Sequence, residues 1–355
     1  MIGMNELLRV DDLHVRFATA AGFIPAVRGV SFRLRPGATL AVVGESGSGK
    51  SVVSQSIMRI LPRNGEISRG SILFADPRGD GEPVDLVKLP ADGPAMRAIR
   101  GGRISIIFQE PMSSLSPLHT IGDQVSEALR LHRSVTAAEA KELTVEMLRL
   151  VGFPDGERAW RSYPFELSGG LRQRAMISMA LVCRPALLIA DEPTTALDVT
   201  IQAQILKLII ELQHELGMAV LLITHDLGVV AETADEIVVM YAARVAEHAP
   251  VFSLFEQPLH PYTWGLLGSL PRLDVQLERL TQIGGQPPSL LRPPRGCRFR
   301  PRCGHAFDRC RGELPDATPA SFDPGHLDAC FLPEERKLEL SRRVTAELGL
   351  DVEAA

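Results

Sequence analysis

The run GESGSGKS at residues 44–51 constrains the fold of this chain more than any other segment. It matches the pattern G-x-x-x-x-G-K-[ST] in full. An apolar run at residues 39–43 predicts a buried strand before it, and a helix-compatible segment at residues 51–60 follows. In a strand–loop–helix order, the glycines let the backbone turn tightly and direct its N–H groups at phosphate oxygens. The run therefore predicts a nucleoside triphosphate site; the alternative is a glycine-rich turn before an ordinary helix.

Two side chains of this loop have predicted chemical roles. The Lys50 ammonium group is expected to reach the β- and γ-phosphates, and the Ser51 hydroxyl is expected to ligate Mg²⁺. The remaining cradle is expected to come from the backbone and small side chains of Gly44, Ser46, Gly47 and Gly49.

Aliphatic runs alternate with helical periodicity over the first 260 residues, which predicts an α/β fold. Alternating strands are expected within residues 1–35, at residues 7–10, 13–17 and 26–34. A mostly parallel sheet covered on both faces is expected from the runs at residues 39–43, 104–108, 186–190 and 219–224. The pattern becomes helical between about residues 110 and 180, which predicts a helical insertion, and residues 201–216 predict a long amphipathic helix.

A change of composition marks the last third of the chain. After residue 249 the sequence is rich in Pro, Gly and Arg, and four of the five cysteines lie there. We expect a domain boundary near residue 260, which would separate a domain at residues 1–260 from an extension at residues 261–355.

Bulk composition restricts the classes of function. The chain is 45% hydrophobic and 23% charged, as globular proteins are, and its net charge of −5 argues against wholesale wrapping of nucleic acid. No apolar run is long enough to cross a bilayer, and the N-terminus lacks the pattern of an export signal. We therefore expect a cytosolic protein that reaches a membrane only through a partner.

Two carboxylates directly follow the aliphatic run at residues 186–190. Asp191 is expected at the carboxyl end of a strand, where α/β sheets bind ligands, and could hold Mg²⁺ through water. Glu192 could orient and deprotonate an attacking water. Taken alone, the same sequence would also fit a solvated turn.

The run LSGGLRQR at residues 167–174 precedes another helix-compatible segment. A serine and two glycines at a helix start form a second anion-binding cradle. With these two cradles the sequence resembles the ATPases of ATP-binding cassette (ABC) transporters, over about residues 5–260 and with the motifs in the family's order. The resemblance implies a P-loop ATPase core with N-terminal antiparallel strands and a helical insertion.

The resemblance also implies roles for single residues. Gln109 matches the Q-loop glutamine that contacts Mg²⁺ and senses the membrane partner. Asp198 matches the D-loop aspartate, and His225 matches the switch histidine that contacts the γ-phosphate. Phe17 is the best match for the aromatic residue that stacks on adenine; core packing is its alternative role, and Phe23 is a second candidate.

In this family the signature of one subunit covers the ATP that is held by the other subunit. Ser168 and Gly170 would therefore act in trans, and the chain would need a second ABC ATPase subunit to complete either site. ATP would then bridge a dimer whose closure and reopening drive motion elsewhere.

The region after the cassette carries a narrower resemblance. HPYT at residues 260–263 and GCRFRPRC at residues 296–303 are similar to the C-terminal extension of oligopeptide and dipeptide importer ATPases, a subfamily that includes nickel importers. This implies an ATPase subunit at the cytoplasmic face of the inner membrane. Its implied partners are a second, different ATPase chain, two transmembrane permease subunits and, indirectly, an extracytoplasmic substrate-binding protein, with no nucleic acid.

The solute itself stays open, because peptide, nickel, haem or sugar would be selected by other polypeptides. A soluble ABC ATPase acting on nucleic acid or ribosomes is the alternative class. Such proteins usually carry a coiled-coil insertion or two cassettes in one chain, and this sequence has neither.

The four cysteines of the tail predict a metal site. They are spaced C-x5-C-x6-C-x19-C, and a cytosolic location disfavours disulfides. The wide spacing favours an iron–sulfur cluster on four thiolates over zinc, and relatives with this pattern are reported to hold a [4Fe–4S] cluster. Zinc, with His305 or His326, and no metal at all are the alternatives. The expected ligands are Cys297, Cys303, Cys310 and Cys330, whereas Cys183 is expected to be a small core residue.

Overall fold

A computed structural model describes residues 6–79, 82–108, 114–194, 198–269 and 283–348. Strands alternate with helices along most of the chain. The strands are β1 Leu8–Thr19, β2 Gly22–Leu34, β3 Thr39–Val43, β4 Gly65–Phe74, β5 Val84–Asp85, β6 Ile104–Ile107, β7 Leu187–Asp191, β8 Ala219–Ile223, β9 Glu236–Tyr241, β10 Arg244–Pro250, β11 Thr318–Pro319 and β12 Leu327–Asp328. The α-helices are α1 Lys50–Ile57, α2 Pro94–Ile99, α3 Ile121–His132, α4 Ala137–Leu150, α5 Gly156–Arg161, α6 Gly169–Leu181, α7 Val199–Leu216, α8 Leu227–Thr233, α9 Val251–Glu256, α10 Pro261–Gly268, α11 Arg309–Gly312 and α12 Glu334–Leu348.

Two sheets organise these strands. The first has the order β2-β1-β4-β5, and all its pairs are antiparallel. The second has the order β11-β12-β10-β9-β3-β8-β7-β6. Its pairs from β6 to β9 are parallel and its pairs from β9 to β11 are antiparallel. The α/β architecture predicted from the sequence, with antiparallel N-terminal strands, is confirmed.

The parallel strands are aliphatic because both faces of the sheet are covered. All five residues of β3, of β7 and of β8 are buried. One apolar cluster joins this sheet to the N-terminal strands and α1. A second apolar cluster joins another part of this sheet to α3, α4, α6 and α7. The predicted helical insertion therefore packs on the core as a continuous hydrophobic unit.

The N-terminal strands differ from the sequence-based expectation at one point. Separate strands were expected at residues 7–10 and 13–17, but β1 runs through both. Its pairing registers with β2 and β4 shift beside Asp12, which has a φ of +45°. A bulge of this kind bends a strand without ending it, which explains why the alternation of apolar residues is interrupted here.

The C-terminal segment is built onto the cassette sheet. β12 pairs with β10, where Glu247 lies opposite Asp328. The buried Glu247 carboxylate accepts hydrogen bonds from the backbone N–H groups of Leu259 (2.6 Å) and His260 (3.0 Å) and lies 2.7 Å from Nε2 of His326. Buried charge is tolerated only with such partners. The domain boundary near residue 260 stays a prediction.

Among the described residues, no helix is both long and apolar enough to cross a membrane.

Candidate functional site

The loop after β3 can take its shape only because glycines stand at its tightest points. Gly44 has a φ of +144°, and a Cβ atom there would lie 2.2 Å from the carbonyl oxygen of Met240. Gly49 has a φ of +105°, and its Cβ would lie 2.4 Å from the Ala26 carbonyl oxygen. Gly47, at +76°, meets no atom within 4 Å. The backbone is thus packed closely against β9 and β2, while Ser46 and Gly47 face the solvent.

Two polar groups of this loop are buried, one without a hydrogen-bond partner and one against backbone carbonyl groups. The Ser48 hydroxyl is buried and forms no hydrogen bond. The Lys50 ammonium, 5% exposed, donates to the carbonyl oxygens of Gly44 (2.7 Å) and Glu45 (3.2 Å). Burial lowers the pKa of Lys50, and the charges of Glu192, Asp191 and Glu45 oppose that shift. An anion in this cradle would stabilise the ammonium form.

Ser51 and Asp191 meet at the start of α1 and the end of β7. The Ser51 hydroxyl donates to Oδ1 of Asp191 at 3.0 Å, and the Ser54 hydroxyl donates to Oδ2 at 2.9 Å. Burial raises the pKa of Asp191, against the effect of these two hydrogen bonds. A single carboxylate and a hydroxyl are the protein ligands that Mg²⁺ typically takes beside substrate phosphates. The structure therefore places these two predicted Mg²⁺ ligands together.

Glu192 is held in an unusual backbone conformation. Its φ is +49°, a region that non-glycine residues rarely enter, and its N–H donates to the Ile223 carbonyl at 2.9 Å. Such strain is found most often at functional sites. Its Oε1 lies 3.8 Å from Nδ1 of His225, whose side chain is 70% exposed. Glu192 and His225 thus stand side by side at the ends of β7 and β8.

The predicted signature begins α6. Ser168 is the exposed N-cap, and its hydroxyl accepts from the Leu171 N–H at 3.4 Å. Gly170 faces Ile201, since a Cβ on this glycine would lie 3.2 Å from the Ile201 side chain. Asp198 caps α7 and accepts from the Ile201 N–H at 2.9 Å. The N-terminus of α6 and the N-terminus of α7 are therefore neighbours, and Ser168 and Asp198 are exposed there.

The buried side-chain amide of Gln173, which the sequence does not mark as a site residue, connects α6 to the residue after Glu192. Gln173, on α6, donates from Nε2 to the Pro193 carbonyl directly after Glu192. Gln202, on α7, donates to the Thr194 carbonyl at 3.1 Å. Both glutamines lie on helices whose periodicity shows a buried face, but nothing in the sequence indicates which carbonyl they contact.

The two aromatic candidates for adenine stacking differ in their surroundings. Phe17 is partly buried against the apolar core and stands over Gly65, where a Cβ would lie 2.6 Å from the ring. Phe23 is 54% exposed, and the Arg16 guanidinium carbon lies 4.2 Å from its ring centre. The stacking role of Phe17 stays a prediction. Gln109 lies outside the described residues.

A cavity of about 780 Å³ lies between α1, β6, α3 and α6. Its wall includes Ser51 and Asp191 at one side and residues of α3 and α6 at the other. Ala128 and His132 of α3 line it, and Leu131, three residues after Ala128 on the same helix, is 74% exposed. The cavity therefore combines the predicted Mg²⁺ ligands with an apolar rim.

The four cysteines of the C-terminal segment line one small cavity of about 10 Å³, which is room for about one water molecule. None of them is in a disulfide. Burial raises the pKa of the Cys297 and Cys303 thiols, and that of Cys330 to about 12. Within the described ranges, no three His, Cys, Asp or Glu side chains are arranged to hold a metal ion. A metal cluster is larger than this cavity, so the side chains that line it would have to move to admit one.

The C-terminal segment also touches the phosphate loop, which the sequence analysis missed. The Glu45 carboxylate pairs with Arg302, and the Glu45 N–H donates to the Tyr262 hydroxyl at 2.9 Å. More than 200 residues separate these partners along the chain.

Comparisons with known proteins agree with this geometry. Residues 27–195 match the family model described as ABC transporter, and residues 246–310 match that of the oligopeptide/dipeptide transporter C-terminal region. The oligopeptide transport ATP-binding protein OppD of Salmonella typhimurium is 48% identical over 94% of this chain and 96% of its own. The dipeptide transport ATP-binding protein DppD of Bacillus subtilis is 50% identical over the same shares.

Solved structures show the same fold. The dimeric, post-hydrolysis state of the ATP-binding cassette MJ0796 bound to ADP and Pi aligns with a TM-score of 0.59 and 25% identity, over 69% of this chain and 98% of that one. The cbiO1 protein from Clostridium perfringens aligns with a TM-score of 0.59 and 28% identity, over 71% and 91%. This chain therefore belongs to the ABC transporter ATPase family, among the ATP-binding subunits of the oligopeptide and dipeptide transporters.

Proposed function

We propose that this chain hydrolyses ATP to power the import of dipeptides or oligopeptides through permease subunits in the cytoplasmic membrane. The proposal rests on sequence identity. About half of the residues, along nearly the whole chain, are identical to those of proteins named for oligopeptide and dipeptide transport. The match includes the C-terminal region, which distinguishes this transporter group from other ABC ATPases.

The site residues have distinct roles in the proposed reaction. Lys50 and the backbone N–H groups of its loop hold the β- and γ-phosphates, while Ser51 and Asp191 hold Mg²⁺, which neutralises phosphate charge. Glu192 takes a proton from the attacking water, whose oxygen bonds to the γ-phosphorus as the bond to the β–γ bridging oxygen breaks. His225 contacts the γ-phosphate. Phe17 is assigned to adenine, and Gln109 to Mg²⁺ and the permease contact.

A second ATPase subunit completes the site in this proposal. Ser168 and Asp198 are exposed at the surface and Gly170 is partly exposed there, as groups that act on a partner's nucleotide should be. Helix α6 directs its N-terminus from that surface, and a helix N-terminus attracts phosphate. A different chain, rather than a second copy, is the proposed partner.

The rim of the 780 Å³ cavity is the proposed docking surface for a permease segment. Phe108, which also lines the cavity, is 47% exposed, and Leu131, next to the lining residue His132 on α3, is 74% exposed. Exposed apolar residues around a concave surface are typical of binding sites. A permease held here would contact the wall that carries Ser51 and Asp191, so its motion and the state of the nucleotide would be coupled.

Uptake of labelled solutes by cells lacking the chain tests the proposal. We expect uptake of labelled di- or oligopeptides to be lost and restored by the wild-type gene. Leu131→Asp should restore it poorly, because a carboxylate would face the permease. Phe252→Asp, which changes another exposed apolar residue (76%), should restore it fully. Loss of nickel uptake with normal peptide uptake would contradict the peptide assignment and support the nickel alternative.

We also propose that Cys297, Cys303, Cys310 and Cys330 hold a [4Fe–4S] cluster, with zinc as the alternative. The support is that four unpaired thiols line one cavity. A metal would have to displace protons from buried thiols, so binding should weaken as pH falls.

Metal analysis of protein purified without oxygen tests this site. We expect about four iron and four sulfide per chain, with visible absorbance that Cys303→Ser removes and Cys183→Ser, which alters a buried core thiol, leaves intact. Stoichiometric zinc without iron would contradict the iron–sulfur cluster and support the zinc site. Protein that binds neither metal would contradict both.

A further inference from the structure

Arg302, the residue before Cys303, forms a two-pronged ion pair with a residue of the phosphate loop. Its Nη1 lies 2.6 Å from Oε2 of Glu45, and its Nη2 lies 2.9 Å from Oε1. Glu45 directly follows Gly44, the glycine packed against β9. Paired N–H···O bonds of this kind fix orientation as well as distance, so the pair joins the cysteine-bearing segment to the loop that is proposed to hold the triphosphate.

The Arg302 guanidinium group forms hydrogen bonds with several neighbours besides Glu45. Its side chain is 4% exposed. Nε donates to the Gly284 carbonyl at 3.0 Å, Nη2 donates to the Ile283 carbonyl at 3.1 Å, and Nη1 reaches the Tyr241 hydroxyl at 3.4 Å. All three guanidinium nitrogens therefore form hydrogen bonds. The arginine side of the ion pair with Glu45 is buried, unlike that of an exposed ion pair, which contributes little to stability.

A second contact fixes the same residue through its backbone. The Glu45 N–H donates to the hydroxyl of Tyr262, whose ring is fully buried beside those of Tyr241 (4.5 Å between centres) and Phe299 (5.5 Å). Phe299 stands two residues after Cys297. The side chain and the N–H of Glu45 are thus both held by groups outside the cassette motifs.

Two physical effects would follow if Arg302 were absent. The Glu45 carboxylate would keep its negative charge next to the site of a triphosphate, where like charges repel. The first turn of the loop would also lose the contact that orders it before the ligand arrives, and ordering on binding costs affinity.

We propose that Arg302 is a positioning residue for nucleotide binding. By neutralising and orienting Glu45, it keeps the phosphate loop ready for the triphosphate, so the C-terminal segment sets the affinity of the cassette for Mg·ATP. This inference rests on the proposed nucleotide site, and it applies to the isolated chain without permease or peptide.

Titration of the full-length chain with a fluorescent ATP derivative and Mg²⁺ tests the proposal. We expect Arg302→Ala to raise the Kd of the isolated chain about tenfold and, in the assembly with its partner subunits, to raise KM for ATP more than it lowers kcat. Adding Glu45→Gln to Arg302→Ala should recover at least half of the loss on a logarithmic scale, because the uncompensated charge is then removed. Arg309→Ala, which breaks the exposed Arg309–Glu313 pair in the same segment, should leave Kd unchanged.

The controls separate failure of the inference from failure of the site. Lys50→Ala must weaken binding; if it does not, the proposed nucleotide site itself is wrong. If Lys50→Ala weakens binding and Arg302→Ala keeps the wild-type Kd, the positioning role is wrong. It is also wrong if the loss in Arg302→Ala is not relieved by Glu45→Gln and the melting temperature falls, since the arginine would then only hold the fold together.

Discussion

Replacing Glu192 with glutamine is expected to slow ATP hydrolysis by about a thousandfold while ATP binding is kept, because a general base typically contributes between a hundredfold and ten-thousandfold. The amide has the size of the carboxylate but cannot accept the proton from water. Glu192 stands at the end of β7 next to Asp191 and beside His225, where the γ-phosphate is expected. Release of phosphate by the purified chain with its partner subunits measures the rate.

Binding and the control are measured in the same preparation. We expect the Glu192→Gln protein to hold Mg·ATP with the wild-type affinity and to remain longer in the ATP-bridged dimer. Glu232→Gln, which removes an exposed carboxylate on α8, should hydrolyse normally. Full activity in Glu192→Gln would contradict its assignment as the base.

Replacing Gly44 with alanine is expected to remove most nucleotide binding. The new Cβ would lie 2.2 Å from the Met240 carbonyl oxygen, which belongs to β9 in the middle of the large sheet. That strand pairs on both sides, so the loop must move instead. The substituted residue would also have to keep a φ of +144°. We expect a loss of roughly 3 kcal/mol of unfolding free energy, in the range of other backbone and overpacking defects.

A matched glycine separates the clash from the backbone strain. Gly37 has a φ of +71° with nothing within 4 Å of a built Cβ. Gly37→Ala should cost about 1 kcal/mol or somewhat more, for the left-handed conformation alone, and should bind Mg·ATP normally. Urea unfolding and nucleotide titration measure both quantities. Equal affinity in Gly44→Ala and wild type would show that the loop tolerates the shift.

The parts of the site that the sequence predicts are those whose residues are neighbours along the chain. The phosphate loop follows one strand and starts one helix, and its glycines, Lys50 and Ser51 define its chemistry locally. Asp191 and Glu192 likewise follow a buried strand. Because parallel strands end at one edge of a sheet, the meeting of Ser51 with Asp191 also follows from the predicted fold.

Other features depend on contacts between distant residues, and no local pattern predicts them. The pairs Arg302–Glu45 and Tyr262–Glu45 join segments whose order in space is decided by packing of the whole chain. The hydrogen bond from Gln173 to the Pro193 carbonyl is another example. The bulge beside Asp12 was also missed, because a register shift leaves the apolar alternation ambiguous.

The pairing of β12 with β10 has a consequence for how this protein can be divided. Without the residues after 260, β10 would become an edge strand with one side unpaired. The buried Glu247 carboxylate would also lose its contact with the His326 ring. An open strand edge invites intermolecular pairing, and a stranded buried charge is costly. The residues after 260 thus complete the large sheet of the ATPase, and we expect both parts to unfold together in one cooperative transition.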